Sequence, residues 1–287
     1  MKILLSGHTG QVAQALQHAL ADHQLLSLGR QAFDLEQPAS LRETILRERP
    51  QLLINAAAYT AVDLAEQEPE RAFAVNAEAP GAMARACAEL GIPLIHYSTD
   101  YVFDGSKNGA YQEDDASNPL GVYGASKLAG EQAVAASGCE HLILRTSWVY
   151  SRHGRNFLLT MQRLLQEREE LKVVDDQIGA PTWAGSIAAA SAELIRAWQQ
   201  GNRHWGTYHL TNQGQTSWFG FAQAIAEHLR AAGKPCARLL PIPSSDYPTP
   251  ARRPLNSCLD GTRLARDWNL RLADWRQALQ QCLGETP

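Results

Sequence analysis

The chain has 287 residues, of which 45% are hydrophobic and 20% are charged. This composition is typical of a folded globular protein and excludes a disordered chain. The formal net charge is −4 without long runs of one sign, so we expect binding neither to nucleic acid nor to a membrane surface. No apolar run approaches the roughly 18 residues that cross a bilayer. A cytoplasmic protein is therefore expected, and its five widely spaced cysteines are interpreted as reduced.

The first half of the chain alternates short apolar runs with helical stretches, the pattern of a parallel sheet covered on both faces. Strands are predicted at residues 3–6, 25–28, 52–55, 94–98 and 142–146. The helices predicted between them span residues 11–21, 39–48, 69–90 and 126–137. This order predicts an α/β fold, a Rossmann-type doubly wound parallel sheet.

The pattern loosens after about residue 148. Helices are predicted at 157–168, 184–199 and 218–230, and strands at 172–174 and 208–211. We therefore expect a dinucleotide-binding domain at residues 1–148 and a smaller C-terminal lobe at 149–287. The two are partly interleaved, because segment 182–212 is expected to pack back onto the first domain.

A glycine turn, Gly7-His8-Thr9-Gly10-Gln11-Val12-Ala13, separates the first strand from the first helix. At such a turn the pyrophosphate of a dinucleotide rests on the N–H groups of the helix amino end. Gly7 and Gly10 permit the tight turn, and Ala13 in place of a third glycine is still small. An ordinary strand-to-helix turn is the alternative, but the position of the motif favours a dinucleotide site.

The end of the second strand bears on the choice of cofactor. An NAD-specific site usually has an acidic residue there, whereas this chain has Leu28-Gly29-Arg30. Arg30 can pair with a 2′-phosphate, so NADPH is favoured over NADH, with a merely solvent-exposed Arg30 as the alternative. Asp34 and Leu35 are expected beside the adenine.

A tyrosine and a lysine four residues apart, Tyr123 and Lys127, are predicted on one face of a helix. Ketone reduction requires a proton donor, and a tyrosine with a pKa near 10 must be brought about three units lower to act at neutral pH. A lysine charge about 4 Å away supplies roughly 4 kcal/mol, most of that shift. Thr99, at the end of a predicted strand, is expected to hydrogen-bond the substrate oxygen.

With these residues in place, the chain resembles the extended short-chain dehydrogenase/reductase superfamily, and within it the nucleotide-sugar reductases. The resemblance covers nearly the whole chain, and its segments are residues 7–12, 55–63, 98–105, 119–127, 145–150, 174–182 and 252–257. It implies NAD(P)H-dependent reduction of the C4 ketone of a dTDP-linked 4-keto-6-deoxy sugar, with the substrate bound by the smaller lobe.

The resemblance also implies a role for individual residues. The cofactor would be lined by Gln11, Val12, Asp34, Leu35, Ala58, Tyr59, Thr60 and Tyr97, with Tyr123 and Lys127 holding its nicotinamide ribose. The catalytic residues would be Thr99, Tyr123 and Lys127, and the substrate contacts Thr99, Asp100, Trp148, Arg253 and Asn256. The alternatives are that Trp148 is a core residue and that Arg253 and Asn256 cap a loop.

One departure from relatives concerns metal. Some relatives dimerise through magnesium held by acidic side chains, but Ala15 and Gly185 stand at those places and offer no ligand oxygen. No metal site is therefore predicted, a magnesium-bridged dimer is disfavoured, and a monomer or weak homodimer is expected.

Two rival functions stay open. A 4,6-dehydratase or epimerase shares the fold, but the dehydratases have Thr-Asp-Glu where this chain has Thr99-Asp100-Tyr101. A non-catalytic NADP-binding regulatory subunit is disfavoured by the intact Thr99, Tyr123 and Lys127.

Overall fold

A parallel sheet forms the centre of the computed structural model, which describes residues 1–284. In chain order the strands of this part of the chain are β1 (Lys2–Ser6), β2 (Gln24–Leu28), β3 (Leu52–Asn55), β4 (Leu94–Thr99), β5 (His141–Thr146), β6 (Val149–Tyr150), β7 (Glu170–Val174), β8 (Ile178–Gly179), β9 (Thr182–Trp183), β10 (Gly206–His209), β11 (Thr216–Ser217) and β12 (Arg238–Ile242).

The α-helices follow the same order: α1 (Gln11–Ala19), α2 (Pro38–Glu48), α3 (Val62–Ala65), α4 (Pro69–Phe73), α5 (Ala79–Leu90), α6 (Val122–Ala135), α7 (Phe157–Glu167), α8 (Ala184–Gln199), α9 (Trp218–Ala231), α10 (Thr262–Trp268) and α11 (Trp275–Gly284). A π-helical turn, Ala74–Glu78, joins α4 to α5, and 3₁₀ turns lie at Asp100–Val102 and Ser244–Asp246. None of the helices within residues 1–284 combines the length and apolar character needed to span a membrane.

The central sheet has six parallel strands in the order β10-β5-β4-β3-β1-β2. The order reverses between β1 and β3, so the crevice for a ligand opens at the carboxyl ends of these strands. Ser6 pairs with Asn55 and Thr99 pairs with Thr146, which brings the ends of four strands to one edge. The predicted α/β, doubly wound parallel sheet is confirmed.

Two apolar layers cover the sheet. On one face α1, α8 and α10 contribute residues such as Leu16, Ile187 and Trp268. On the other face α2, α5 and α6 contribute residues such as Ile45 and Met83. Because both faces are covered, consecutive residues of β1, β3 and β4 are buried, rather than only every second one, and polar residues stand mainly at their carboxyl ends.

Away from the central sheet, a further cluster of buried side chains lies among α7, α9 and α11 and includes Leu158, Phe221, Ile225 and Trp275. The parallel pair of β12 and β7 packs beside it. Strand β10, which follows α8 in the chain, belongs instead to the central sheet, where it pairs with β5.

The helix predicted at 69–90 is interrupted in the structure by the π-helical turn. Within that turn the carbonyl of Asn76 approaches α6 so closely that a side chain at Gly130 would collide with it. The helix predicted at 126–137 begins earlier, at Val122, so Tyr123 lies inside its first turn. The strand predicted at 172–174 is confirmed as β7, whereas β6, β8, β9, β11 and β12 were not predicted, because runs of two to five residues carry little periodicity. Helices α10 and α11 were also not predicted.

Candidate active site

The glycine turn lies at the crevice between β1 and α1. Gly7 has a φ of 92°, and a Cβ there would lie 3.1 Å from the backbone of Ala56. Helix α1 follows with no side-chain cap and no acidic residue in its first turn. Within residues 1–284 the first N–H groups of this helix have no hydrogen-bond acceptor, which fits the phosphate oxygens of a dinucleotide. Gly10 occupies the N-cap position, and Val12 packs partly buried against the core.

Gln11 connects this turn to a loop from the second half of the chain. Its Oε1 accepts hydrogen bonds from Ser151 Oγ at 3.0 Å and from Asn156 Nδ2 at 2.8 Å. Asn156 also caps α7 by accepting from the N–H of Leu159. Ser151 and Asn156 were not predicted, because 140 residues separate Ser151 from Gln11.

The end of the crevice beside β2 holds an exposed network of charges. Glu36 accepts from Arg30 at 2.5 Å and from Arg71 at 2.9 Å, and Arg30 lies 3.6 Å from Asp34. The side chain of Arg30 is 62% exposed. Leu35 points the other way, into the core between the sheet and α2. The carboxylate of Glu36, which was not predicted, therefore lies near the position where NAD-specific proteins have an acid.

The segment after β3 is held by Asn76. The amide of Asn76 accepts from the N–H of Tyr59 at 2.8 Å and donates to the Tyr59 carbonyl at 3.0 Å and to Ser126 Oγ at 3.0 Å. Asn76 thereby ties this segment to α6. Ala58 is partly buried beside Tyr59, and Thr60 is exposed.

Helix α6 is positioned by close backbone contacts. Its first N–H, from Val122, donates to the Glu66 carboxylate at 2.8 Å, which supplies the cap that Gly121 lacks. Gly124 lies against the carbonyl of Tyr101 with no room for a side chain. Tyr123 is consequently fixed beside the end of β4, and its ring meets that of Tyr101 edge to face at 5.6 Å.

Tyr123 and Thr99 come together at this edge. Burial raises the pKa of Tyr123 to about 12, and a hydrogen bond with Thr99 acts in the opposite direction. We expected Lys127 to lower the pKa of Tyr123, but in the structure burial raises it. Lys127 is directed elsewhere, because its Nζ donates to the carbonyl of Tyr97 at 2.6 Å. Tyr123 is therefore a neutral phenol with a proton to donate.

Lys127 is a fully buried amine one helical turn after Tyr123. Its Nζ also lies 3.4 Å from Nε2 of His96. Burial lowers the pKa of Lys127 to about 8, and the nearby Glu131 acts in the opposite direction. Lys127 therefore titrates within reach of physiological pH.

Asp100 lies directly behind Thr99. Thr99 Oγ1 donates to Asp100 Oδ1 at 2.9 Å, while the other carboxyl oxygen, Oδ2, is buried with no hydrogen-bond partner in residues 1–284. Burial raises the pKa of Asp100 to about 7, against the opposing effects of the Ser257 side chain nearby and of the hydrogen bond from Thr99. A buried acceptor without a partner fits a site completed by a polar ligand.

Trp148 follows β5 and contacts residues from the second half of the chain. It has a left-handed backbone with a φ of 47°, and its ring stacks on Trp218 at 3.7 Å. The ring lies over Gly179, where any side chain would collide with it. Trp218 donates to Gln177 at 3.2 Å and was not predicted as a site residue. The stack makes an aromatic wall rather than a side chain enclosed in the core.

Two further predicted residues form contacts within the protein. The ring of Tyr97 lies in the core, where its hydroxyl contacts Ser191 at 2.6 Å, so only its carbonyl reaches Lys127. Arg253 forms an ion pair with Asp63 at 2.9 Å.

The amide of Asn256 is occupied by a loop. Its Nδ2 donates to the carbonyls of Lys107 and Gly109, and its Oδ1 accepts from the N–H of Cys258. This arrangement matches the loop-capping alternative for Asn256.

The residues considered for metal lie on the helices that pack together on one face. Ala15 is on α1 and Gly185 is on α8. Within residues 1–284 no three His, Cys, Asp or Glu side chains are grouped so that they could hold a metal ion.

The strand order and the Tyr123–Lys127 pair at the edge of the sheet define an enzyme class, the NAD(P)-dependent oxidoreductases of the extended short-chain dehydrogenase/reductase superfamily. Residues 1–286 match the family model described as RmlD substrate binding domain. The dTDP-4-dehydrorhamnose reductase of Burkholderia thailandensis is 47% identical, with 99% of both chains covered. That of Escherichia coli strain K12 is 45% identical, with 99% of this chain and 98% of the relative covered.

Among solved structures, the dTDP-4-dehydrorhamnose reductase of Bacillus anthracis strain Ames in complex with NADP superimposes with a TM-score of 0.91. It is 34% identical, and the match covers 99% of each chain. The chain therefore belongs to the dTDP-4-dehydrorhamnose reductase family. The resemblance drawn from its motifs is confirmed.

Proposed function

We propose that this enzyme reduces the C4 ketone of dTDP-4-dehydro-L-rhamnose to give dTDP-L-rhamnose, using NADPH or NADH. The observation that carries the proposal is the meeting of Thr99, Tyr123 and Lys127 at the edge of the sheet, beside an uncapped helix that suits a dinucleotide. Membership of the family and the NADP bound to the Bacillus anthracis relative support the same substrate and cofactor.

The chemistry divides between cofactor and protein. When bound, the reduced nicotinamide supplies the hydride that reaches the C4 carbon. The hydroxyl of Tyr123 donates its proton to the C4 oxygen, and Thr99 hydrogen-bonds that oxygen as negative charge develops on it. Lys127 holds the nicotinamide ribose and favours the phenolate that Tyr123 becomes.

We also propose the ligand contacts. The dinucleotide is lined by Gly7, Gly10, Gln11, Val12, Asp34, Leu35, Ala58, Tyr59, Thr60 and Tyr97, with Leu35 and Tyr97 contributing backbone because their side chains lie in the core. Asp100 and Trp148 contact the sugar nucleotide. Arg253 and Asn256, from the C-terminal lobe, belong to the same proposed substrate site.

NADPH is the proposed preference because Arg30 extends into solvent at the end of β2, where a 2′-phosphate would lie. Glu36 opposes this preference, so NADH remains usable. A reaction that consumes reduced nicotinamide and a nucleotide sugar suits a cytoplasmic enzyme, acting as a monomer or weak homodimer.

A dehydratase or epimerase is the less favoured alternative. Tyr101 occupies the place of the dehydratase glutamate, and burial raises its pKa, so it is no base at neutral pH. A non-catalytic subunit does not require the buried Lys127 and the Tyr123–Thr99 pair.

The test is a turnover assay with purified protein, NADPH and a panel of nucleotide sugars, followed by absorbance of the reduced nicotinamide. We expect oxidation with dTDP-4-dehydro-L-rhamnose and none with dTDP-L-rhamnose, the matched sugar without a ketone. NADPH binding without oxidation on any 4-keto sugar of the panel would contradict the proposal and favour the regulatory subunit.

A further inference from the structure

A chain of buried hydrogen bonds links Lys127 to the interior of the sheet. Ser6 Oγ donates to Asn55 Oδ1 at 2.6 Å, and Asn55 Nδ2 lies 3.0 Å from Nδ1 of His96. His96 Nε2 in turn lies 3.4 Å from Nζ of Lys127. All four side chains are at most 1% exposed, so protein groups rather than bulk water surround them.

The direction of this chain is set by a backbone group. The N–H of Ala57 can only donate, and it points at Asn55 Oδ1 at 3.3 Å. The oxygen of the Asn55 amide therefore faces Ala57, and the NH₂ faces His96. Because an amide NH₂ only donates, Nδ1 of His96 must accept. Burial and the charge of Lys127 lower the pKa of His96, so its ring is neutral and its single proton lies on Nε2.

The Nε2–H of His96 thus points at Nζ of Lys127. An ammonium has three donors and no acceptor, whereas a neutral amine has a lone pair that accepts from Nε2–H. The contact consequently favours the amine over the ammonium. The carbonyl of Tyr97, the other partner of Nζ, accepts from either form but bonds the ammonium more strongly, so it acts against the effect of His96.

The other charged groups around this pair act more weakly on Lys127. Glu131 lies one turn further along α6 and favours the ammonium, but Arg145 on β5 binds its carboxylate at 2.7 Å and offsets its charge. His141 on β5 adds only to the effects that keep His96 neutral. His96 is therefore the one polar group in direct contact with Nζ, among residues 1–284, that favours the neutral amine.

We propose that His96 is a positioning residue that prepares Lys127 to release a proton in each catalytic cycle, a role that rests on the proposed reductase function. After Tyr123 gives its proton to the C4 oxygen, the phenolate takes a proton from the ammonium of Lys127. The nitrogen left behind is a neutral amine, whose lone pair accepts the Nε2–H of His96. After product release opens the site to solvent, the amine recovers from water the one proton that each reduction consumes, and the site is ready for the next substrate.

The first test reads the tautomer of His96 in the wild-type chain. Protein labelled with ¹⁵N-histidine gives side-chain signals for nine histidines, and the signal missing from His96→Gln assigns His96. We expect a neutral ring protonated at Nε2 from about pH 6 to about pH 9. A ring protonated at Nδ1, or a charged ring, overturns the proposal.

The second test measures the ionisation of Lys127 itself. The chain has five lysines, so ¹³C-labelled lysine gives few signals, and Lys127→Arg assigns the one of interest. Replacing His96 by Met removes the N–H and leaves a sulfur that only accepts, so the pKa of Lys127 is expected to rise by about one unit. In a plot of turnover against pH, the fall in turnover at alkaline pH should likewise shift to higher pH.

His141→Asn is the matched control, because it removes a neighbouring histidine that does not contact Nζ and should leave Lys127 unchanged. An unmoved titration of Lys127 in folded His96→Met overturns the proposal. If His96→Met does not fold, the tautomer in wild type decides. Both readouts are taken without substrate, so their failure leaves the reductase function standing. Normal titration without any NADPH oxidation would instead contradict the proposed function.

Discussion

The two ends of the proposed cofactor crevice handle charge in opposite ways. At the catalytic end Lys127 and Asp100 are buried and have shifted pKa values. At the other end Arg30, Glu36 and Arg71 form ion pairs whose side chains are 30% to 62% exposed. Buried charges cost folding free energy and act strongly on their neighbours, whereas exposed pairs contribute little to either. Substitutions at the two ends should therefore differ in size and in kind.

The largest effect is expected from Tyr123→Phe, which removes the proton donor and keeps the ring. Turnover should fall about 10²- to 10⁴-fold, because general acid catalysis is lost while the phosphate turn is untouched. Steady-state NADPH oxidation measures the loss, and NADPH fluorescence measures binding, which should be nearly unchanged. Retained activity would remove Tyr123 from the mechanism.

Lys127→Met should separate activity from stability. Turnover should fall about 10²-fold, while the free energy of unfolding at about pH 7 should rise by about 1–3 kcal/mol. The pKa of Lys127 is lowered from 10.5 to about 8 in the folded chain, so only the unfolded chain holds this proton between those values. Wild-type stability therefore rises with pH through this window, and the advantage of the variant should disappear above about pH 10.5.

Urea denaturation at several pH values measures that difference in stability. A variant that is less stable than wild type at neutral pH would show that the hydrogen bond to Tyr97 outweighs the cost of burying the ammonium.

Asp100→Asn tests whether the nearby carboxyl competes with Tyr123 as proton donor. We expect only about a tenfold loss in kcat/KM, from a weakened substrate contact. Burial raises the pKa of Asp100 from 3.8 to about 7, so the folded chain keeps a proton that the unfolded chain loses, and wild-type stability falls with rising pH between these values. The asparagine variant should lack that fall. A loss of turnover larger than that of Tyr123→Phe would make Asp100 the acid.

The smallest effect is expected from Arg30→Asp at the exposed end. The new carboxylate repels a 2′-phosphate, so the ratio of kcat/KM for NADPH over NADH should fall about tenfold without loss of stability. Arg42→Asp is the matched control, since Arg42 on α2 is similarly exposed and pairs with Glu89 on α5. Equal ratios in both variants would place Arg30 outside the cofactor site.

The sequence was informative where a function depends on neighbours in the chain. Tyr123 and Lys127 share one helix face, and Gly7 and Gly10 share one turn, so local spacing was enough to predict them. The central sheet was predicted in the same way, from short apolar runs separated by stretches with helical periodicity.

The positioning groups could not be predicted, because their partners lie far away in the chain. Asn76 meets Ser126 across 50 residues, and Glu66 caps α6 across 56. The outward or inward direction of a strand residue was equally hidden, since Tyr97 and His96 are adjacent yet face opposite sides of β4. Spacing identifies the reacting groups, whereas only the fold reveals what orients them.

The most direct test of net reduction at this site follows the hydride itself. The enzyme is supplied with dTDP-4-dehydro-L-rhamnose and NADPH deuterated at the transferable position of its nicotinamide, and the sugar product is analysed by NMR and mass spectrometry. We predict one deuterium at C4 for each NADPH oxidised. Product without deuterium, or a changed sugar formed without NADPH oxidation, would contradict reduction and indicate an epimerase or dehydratase.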